Sequence, residues 1–390
     1  MIREDTASSP DLFSTKPGTI SFAGGMPNLS VLPWEQIADD AHRMLLLGGA
    51  TILQYTTPGI SKGLARAIDS VMAASGVPAD PRSVIPTAGS QMGLAAIAQS
   101  FAREGQVIAC EAPTYPGALA AFRAAGARIV SIDITGGLTE ESLAAQLDAA
   151  PERPALYYTN PNFHNPTGAT HDRVSRELIA AACADRGVRI VEDDPYGLLS
   201  FDGEPTPVPF AELAPSTIYL GTFSKIFAPG LRIGWISAPE DVRARLAHVV
   251  ESMTLSPAPL NHAIAAGFFA LGDWKGLVAD YRDTYRRQGA AMTRALAETF
   301  GDASGWTWNE PGGGFYVWLT HDDVSLDARD LLPMAATEGV SFVPGAFFSA
   351  QDDYRNCLRL CFSANSPDKT EEGIARLARA LSARPVEVAP

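Results

Sequence analysis

Residues 221–235 read GTFSKIFAPGLRIGW, and the apolar run TIYLGTFS leads into them. That run predicts a buried strand ending at Ser224 and Lys225. A lysine at such a place is disfavoured as a cation, because burial removes the water that solvates its charge. The same desolvation makes it a competent neutral amine, able to condense with an aldehyde as a Schiff base. Ser224 offers a hydroxyl, and Arg232 a planar donor fork that suits a phosphate. Amine chemistry and phosphate anchoring within one short loop point to an aldehyde that carries a phosphate.

The chain around this loop alternates strand and helix. RSVIPTAG, QVIACEAP, ARIVSIDI, ALYYTN, VRIVEDD, TIYLGTFS and GWISA read as strands. Helical periodicity separates most of them, over residues 90–103, 115–125, 138–149 and 172–186, with Thr139 or its neighbours as a cap for the third. Strands that are apolar throughout and alternate with helices predict an α/β fold, a mostly parallel sheet covered on both faces. Ligands in such sheets bind at the carboxyl ends of strands. Further helices are expected over 34–47, 61–75, 261–294, 327–338 and 368–382, and strands in PGGGFYVWL, VSFVPG and around Cys357–Phe362. Residues 1–19 read as a loose arm and 383–390 as a disordered tail.

Composition narrows the function classes. The chain has 390 residues, 46% of them hydrophobic, and a net charge of −14. That acidic balance argues against nucleic acid or an anionic membrane as partner. No apolar run is long enough to span a bilayer, and the N-terminus has no signal-peptide pattern, so a cytoplasmic location is expected. Cys110, Cys183, Cys357 and Cys361 read as core thiols rather than a metal site or disulfide framework.

The other suspicious residues fall where strands end. Gly89, Ser90 and Gln91 lie between a strand and a helix, where backbone N–H groups bind phosphate well. Tyr115, after QVIACEAP, could stack on a planar ring or simply pack in the core. NPTG begins at Asn165, and Asp193-Asp194-Pro195-Tyr196 closes VRIVED. A carboxylate there can hold a pyridine nitrogen protonated, which makes the ring an electron sink. Arg359, flanked by apolar residues in CLRLCFS, is expected to pair with a carboxylate, as in an internal salt bridge.

Together, GGMPN (24–28), QYTTPG (54–59), GSQ (89–91), NPTG (165–168), DDPY (193–196) and the SKxxxPGLRxG pattern from Ser224 resemble the class I/II aminotransferases of fold type I. The likeness runs from about Phe22 to Ser382 and is closest to the 2-aminoadipate and kynurenine aminotransferases. It implies pyridoxal 5'-phosphate (PLP) as cofactor, Lys225 as its catalytic attachment point, and a smaller α+β domain beside the large one. It implies a phosphate cup of Gly89, Ser90, Gln91, Thr222, Ser224 and Arg232, with Tyr55 joining from a neighbouring subunit of a homodimer. It also implies Tyr115 stacked on the cofactor ring, Asp193 on its nitrogen, and Asn165 and Tyr196 on its phenolic oxygen. Gly25, Asn165 and Arg359 would contact substrate. The domain division expected is an arm and part of the small domain over 1–48, a large PLP-binding domain over 49–285, and a small domain over 286–390. The reaction implied is amino transfer from an L-amino acid to a 2-oxo acid. A PLP-dependent lyase or decarboxylating oxidative deaminase is the alternative, because His164 stands where many relatives carry glutamine and the NLSVLPW segment is unusual. A cofactor-sensing regulator is a third reading, disfavoured by the acidic charge.

Overall fold

The computed structural model describes residues 16–56, 59–78, 83–102, 105–301 and 304–382. The expected arm up to residue 15, Thr57 and Pro58 of QYTTPG, and the tail from 383 lie outside the described residues. In chain order the elements of the first half are β1 (Ile20–Ser21), α1 (Trp34–Gly48), α2 (Lys62–Ala74), β2 (Val84–Thr87), α3 (Ser90–Phe101), β3 (Val107–Ala112), α4 (Pro116–Ala124), β4 (Arg128–Asp133), α5 (Glu140–Asp148), β5 (Leu156–Thr159), α6 (Arg173–Asp185) and β6 (Arg189–Asp193). Then come α7 (Phe210–Leu213), β7 (Ile218–Thr222), β8 (Gly234–Ser237), α8 (Glu240–Thr254), α9 (Pro259–Leu271), α10 (Trp274–Phe300), β9 (Trp306–Trp308), β10 (Tyr316–His321), α11 (Leu332–Glu338), β11 (Val340–Ser341), β12 (Val343–Pro344), β13 (Cys357–Cys361) and α12 (Pro367–Ser382).

Seven strands form the large sheet, in the order β2-β8-β7-β6-β5-β3-β4. β8 runs antiparallel to both its neighbours, and the other pairings are parallel. The inner strands β5, β6 and β7 are buried at all but one position, Arg189, which is why their apolar residues do not alternate with exposed polar ones. β4 departs from that expectation: as the edge strand it is covered on fewer sides and is mostly half-buried or exposed. Side-chain caps start several helices, and the one at Asp273 follows a break that divides the helix expected over 261–294 into α9 and α10. Ser61, Thr139, Asp172 and Asp273 each accept a backbone N–H of the helix that follows, and Thr139 forms a reciprocal capping box with Ser142.

A four-stranded antiparallel sheet, β12-β13-β10-β9, is built from the C-terminal part of the chain. β1 pairs in parallel with β11, so the start of the described chain is fastened to this part of the molecule. α12 lays Ile374, Leu377 and Ala380 into the core shared with α10. All four cysteines are free and buried. Among the described residues no helix is long and apolar enough to cross a membrane.

Two differences from the sequence reading concern the central loop and the segment after β8. β7 ends at Thr222, so Ser224 and Lys225 lie in the turn beyond it rather than closing the strand. α8, directly after β8, was not expected: its sequence EDVRARLAHVVESMT mixes charge with only three buried apolar residues.

Candidate active site

The carboxyl ends of β2, β3, β5, β6 and β7 open onto one cavity of about 380 Å³. Gly25, Ser90, Gln91, Tyr115, Asn165, Asp193, Tyr196, Thr222, Ser224, Lys225, Arg232 and Arg359 all line it. Sequence positions as far apart as Gly25 and Arg359 are thus brought to one place.

Lys225 is held by its neighbours. Phe223 and Phe227, on either side, are buried and stack on Phe269 and Phe268 at centroid distances of 4.4 Å. Burying such rings contributes about 1.5–3 kcal/mol each, which fixes the turn between them. The Lys225 Nζ is therefore delivered into the cavity, where it donates to the Gly25 carbonyl at 2.7 Å. Burial lowers its pKa to about 8; the cations Arg359 and Arg232 act in the same direction, against Cys361 and Asp193.

One end of the cavity is an anion cradle. No side chain caps α3, whose first residues, Ser90 and Gln91, face the cavity with the positive end of the helix dipole. Thr222 Oγ1 donates to Ser224 Oγ at 2.9 Å, which sets the two hydroxyls side by side. Arg232 sits in a left-handed conformation, φ 53°, and donates to the Ala88 carbonyl at 3.1 Å. Gly89 does not itself line the cavity. A Cβ there would lie 2.5 Å from Arg232 Nη2, so its bare Cα is what lets the guanidinium into the cradle. The Tyr115 hydroxyl donates to Gln91 Oε1 at 3.2 Å, tying the ring to the same end.

At the other side stands Asp193. Its Oδ2 accepts from the Tyr158 hydroxyl at 2.8 Å, while its Oδ1 is buried without a protein partner. Burial raises its pKa to about 7, with the Tyr158 hydrogen bond and Lys225 opposing and Asp194 reinforcing the shift. Asn160 donates to the Asp193 carbonyl and accepts from the Asn165 backbone N–H at 2.9 Å. Asn165 Oδ1 accepts from Arg359 Nη1 at 2.8 Å, which leaves its amide N–H₂ for other partners.

Arg359 is buried and donates to the Ala23 carbonyl through Nη2. Its guanidinium lies between the rings of Tyr316, at 4.4 Å, and Phe348, at 5.0 Å. Among the described residues no carboxylate pairs with it, so the internal salt bridge is not what this arginine makes.

His164 turns away from the cavity. Its Nδ1 meets Thr167 Oγ1 at 2.8 Å, and its Nε2 lies 4.0 Å from Glu111. Burial lowers its pKa to about 4, so near neutrality it is an uncharged packing group. Glu111 takes its close partner from His171, at 2.7 Å. His164 thus stands as a hydrogen-bonded, buried group of the loop. Tyr55 is 76% exposed and does not reach the cavity of its own chain.

Asn160, Tyr158 and Tyr316 were missed in the sequence. Asn160 is the first residue after β5, and the rule that places ligands at strand ends would have found it. Tyr316 comes from β10, and its contacts depend on how the two sheets meet.

The residues fit the cofactor expected from the sequence. An orphaned, buried carboxylate oxygen on Asp193 suits a protonated ring nitrogen, and the cradle of Ser90, Gln91, Thr222, Ser224 and Arg232 is a donor set for a phosphate.

Comparison with known proteins agrees. The family model described as aminotransferase class I and II matches residues 25–377. The chain is similar to aromatic-amino-acid aminotransferase 1 of Thermococcus litoralis, 34% identical over 93% of this chain and 88% of that one. It is also similar to the 2-aminoadipate transaminase of Thermus thermophilus, 34% identical over 94% of this chain and 91% of the other. Among solved structures, an α-aminoadipate aminotransferase of Thermus thermophilus, complexed with N-(5'-phosphopyridoxyl)-L-leucine, superposes with TM-score 0.86 and 33% identity, covering 94% and 92% of the two chains. The kynurenine aminotransferase of Pyrococcus horikoshii, in complex with PMP, also gives TM-score 0.86, with 32% identity over 94% and 91%.

Proposed function

The chain belongs to the class I and II aminotransferases, and from that premise we propose a role for each group in its cavity. The enzyme moves the amino group of an amino acid to a 2-oxo acid with PLP as cofactor. When bound, PLP supplies an aldehyde that condenses with primary amines and a ring that accepts electron density from the substrate carbon.

Lys225 Nζ would be the amine that holds the cofactor and the base that takes the substrate α-proton. Its lowered pKa, about 8, leaves a useful neutral fraction near neutrality while keeping enough basicity to take the proton. Asp193 Oδ1 holds the ring nitrogen in its protonated form. Asn165, with its Oδ1 committed to Arg359, and Tyr196 donate to the phenolic oxygen. Tyr115, which lines the cavity, would help to hold the ring. Ser90, Gln91, Thr222, Ser224 and Arg232 bind the phosphate, with Gly89 making room for the arginine. Arg359 binds the substrate α-carboxylate and so points the Cα–H bond at the base.

The observation that carries this reading is the convergence of an unpaired buried guanidinium on Arg359, an amine on Lys225 and an unpartnered carboxylate oxygen on Asp193 in one cavity. Each is costly to bury alone, and together they match a carboxylate, an aldehyde and a ring cation. With His164 facing Glu111, the lyase or deaminase alternative loses the residue that suggested it.

The partners inferred are an L-amino acid, with Gly25, Asn165 and Arg359 contacting it, and a second copy of this chain. Tyr55 stands exposed with Leu46, Leu47 and Leu53, and clefts of about 500 Å³ bordered by Gly59 and Pro257 lie in the same region. Such a surface suits a homodimer in which each subunit lends Tyr55 to the other's phosphate. Four unpaired, buried thiols fit a reducing cytoplasm. The division into segments 1–48, 49–285 and 286–390 is retained as part of this proposal.

The test is Lys225→Ala. The variant is expected to lose turnover and the absorbance of bound cofactor, with L-phenylalanine, L-leucine and L-2-aminoadipate screened as donors and the 2-oxo acid products identified. Retained turnover, or release of free ammonia or carbon dioxide by the unaltered enzyme without transfer of the amino group to a 2-oxo acid acceptor, would refute the assignment.

A further inference from the structure

We propose that Tyr316 is a positioning residue of this site: its hydroxyl supplies the proton that sets Tyr196 as a donor, and its ring holds Arg359 flat. The proposal rests on the functional reading above, in which Tyr196 donates to the phenolic oxygen of the cofactor.

Tyr316 opens β10, and its neighbour on the same face of that strand, Trp318, is paired in register with Arg359 on β13. Tyr316 and Arg359 are therefore diagonal neighbours on one face of the small sheet, close enough for a large ring to reach. The ring lies 4.4 Å from the guanidinium carbon. A face-on aromatic ring attracts the cation and restricts its swing, which matters for a group that must present a planar fork to a carboxylate.

The hydroxyl points elsewhere. It lies 2.8 Å from the Tyr196 hydroxyl, and both rings are buried at a near-perpendicular 87°. Each phenol has one proton. If Tyr196 gives its proton to the cofactor oxygen, the proton between the two phenols must come from Tyr316. A donor on the Tyr196 oxygen also strengthens Tyr196 as a donor, because chained hydrogen bonds polarise one another.

Gly25 makes the arrangement possible. A Cβ on Gly25 would lie 2.2 Å from the Tyr316 hydroxyl oxygen and 3.2 Å from its ring carbon. The carbonyl of the same glycine accepts from Lys225 Nζ, and the carbonyl of Ala23 accepts from Arg359. The segment 23–25 is thus pressed against Tyr316 while it meets both functional cations. The missing side chain of Gly25 is the space that the Tyr316 hydroxyl occupies.

Three variants of the holoenzyme separate these roles. Tyr316→Phe removes the hydroxyl and keeps the ring. Its kcat should fall about tenfold, the scale of one lost hydrogen bond, with KM for L-phenylalanine, L-leucine and L-2-aminoadipate within about twofold. The pH midpoint of the cofactor's absorbance should move upward, because a weaker donor at the phenolic oxygen leaves the adjoining nitrogen more basic. Tyr316→Leu loses the ring as well, and KM for the same donors should rise about tenfold. Gly25→Ala should impair the native enzyme and be relieved in part when combined with Tyr316→Phe.

An unmoved absorbance midpoint and kcat in Tyr316→Phe, while Tyr196→Phe moves both, would overturn the proposal and leave the functional reading standing. Equal KM in the Phe and Leu variants would overturn the role of the ring. An absorbance midpoint that neither Tyr196→Phe nor Tyr316→Phe moves would overturn the proposal together with the role of Tyr196.

Discussion

Asp193 shows at the scale of one residue how a binding site is held ready against its own stability. Its pKa in the folded apoprotein stands near 7, raised chiefly by burial, against about 3.9 for an ordinary aspartate. Between those values the folded chain holds a proton that the unfolded chain has released. Stability contributed by this group is therefore present below about pH 4 and is lost as pH rises toward 7. Asp193→Asn removes the titration while leaving an oxygen for the Tyr158 hydroxyl. In the apoprotein the Asn variant should melt at the same temperature as the native chain near pH 4 and above it by a growing margin up to pH 7. Adding PLP should reverse the order, since only the carboxylate finds a cation on the ring. A pH series of melting temperatures, with and without cofactor, checks both signs; a constant margin across the series would contradict them. Much at this scale was legible in the sequence, because Lys225, Asp193, Asn165 and Arg232 sit in short strings whose chemistry needs those residue types. Tyr316 was not, since what qualifies it is a contact across the fold, whereas Asn160, directly after β5, was readable as a strand-end residue and was passed over. The part played by His164 was open in the sequence, because adjacency to Asn165 in the chain says nothing about which side of the loop a ring takes.

At the scale of elements, the phosphate cradle depends on how closely two pieces of backbone approach. The N-terminus of α3 and the start of β8 touch so tightly that a Cβ on Gly234 would meet the Gly89 carbonyl carbon at 2.6 Å. Gly89 has φ 81°, a conformation that glycine adopts freely and alanine does not. Gly89→Ala should therefore strain the turn and push Arg232 aside at once. Its expected effect is a ten- to hundredfold weaker affinity for PLP, on the order of one or two charged hydrogen bonds, with the secondary structure intact. Fluorescence titration of the apoprotein measures it, and an unchanged dissociation constant would mean that Arg232 does not bind the phosphate. The alternation of apolar strands and periodic helices made this architecture readable, down to the cap at or beside Thr139. What escaped was α8, whose surface-facing charges dilute its apolar stripe, and the true end of β7, since Phe223 continues the apolar pattern into the turn while packing on α9.

For the whole molecule, the question is which pocket Tyr55 serves. Within one chain it is exposed, and its backbone N–H donates to the side chain of Gln54 at 2.9 Å. If it serves the partner's phosphate, a site is made from Lys225 of one subunit and Tyr55 of the other. Hybrid dimers distinguish this from service to its own chain. Tyr55→Ala alone should weaken PLP binding in both sites, and Lys225→Ala alone should abolish turnover in both. A dimer isolated with one subunit of each kind, using two affinity tags, joins a native Lys225 to a native Tyr55 in one of its two sites. It should recover about half the native activity at limiting cofactor, as two-fold symmetry requires. If Tyr55 acted within its own chain, neither site would hold both groups, and the hybrid would do no better than the average of its parents. The same preparation tests the exposed Leu46, Leu47 and Leu53, because charged replacements there should prevent the hybrid from forming, read as a monomer by light scattering, while leaving each chain folded.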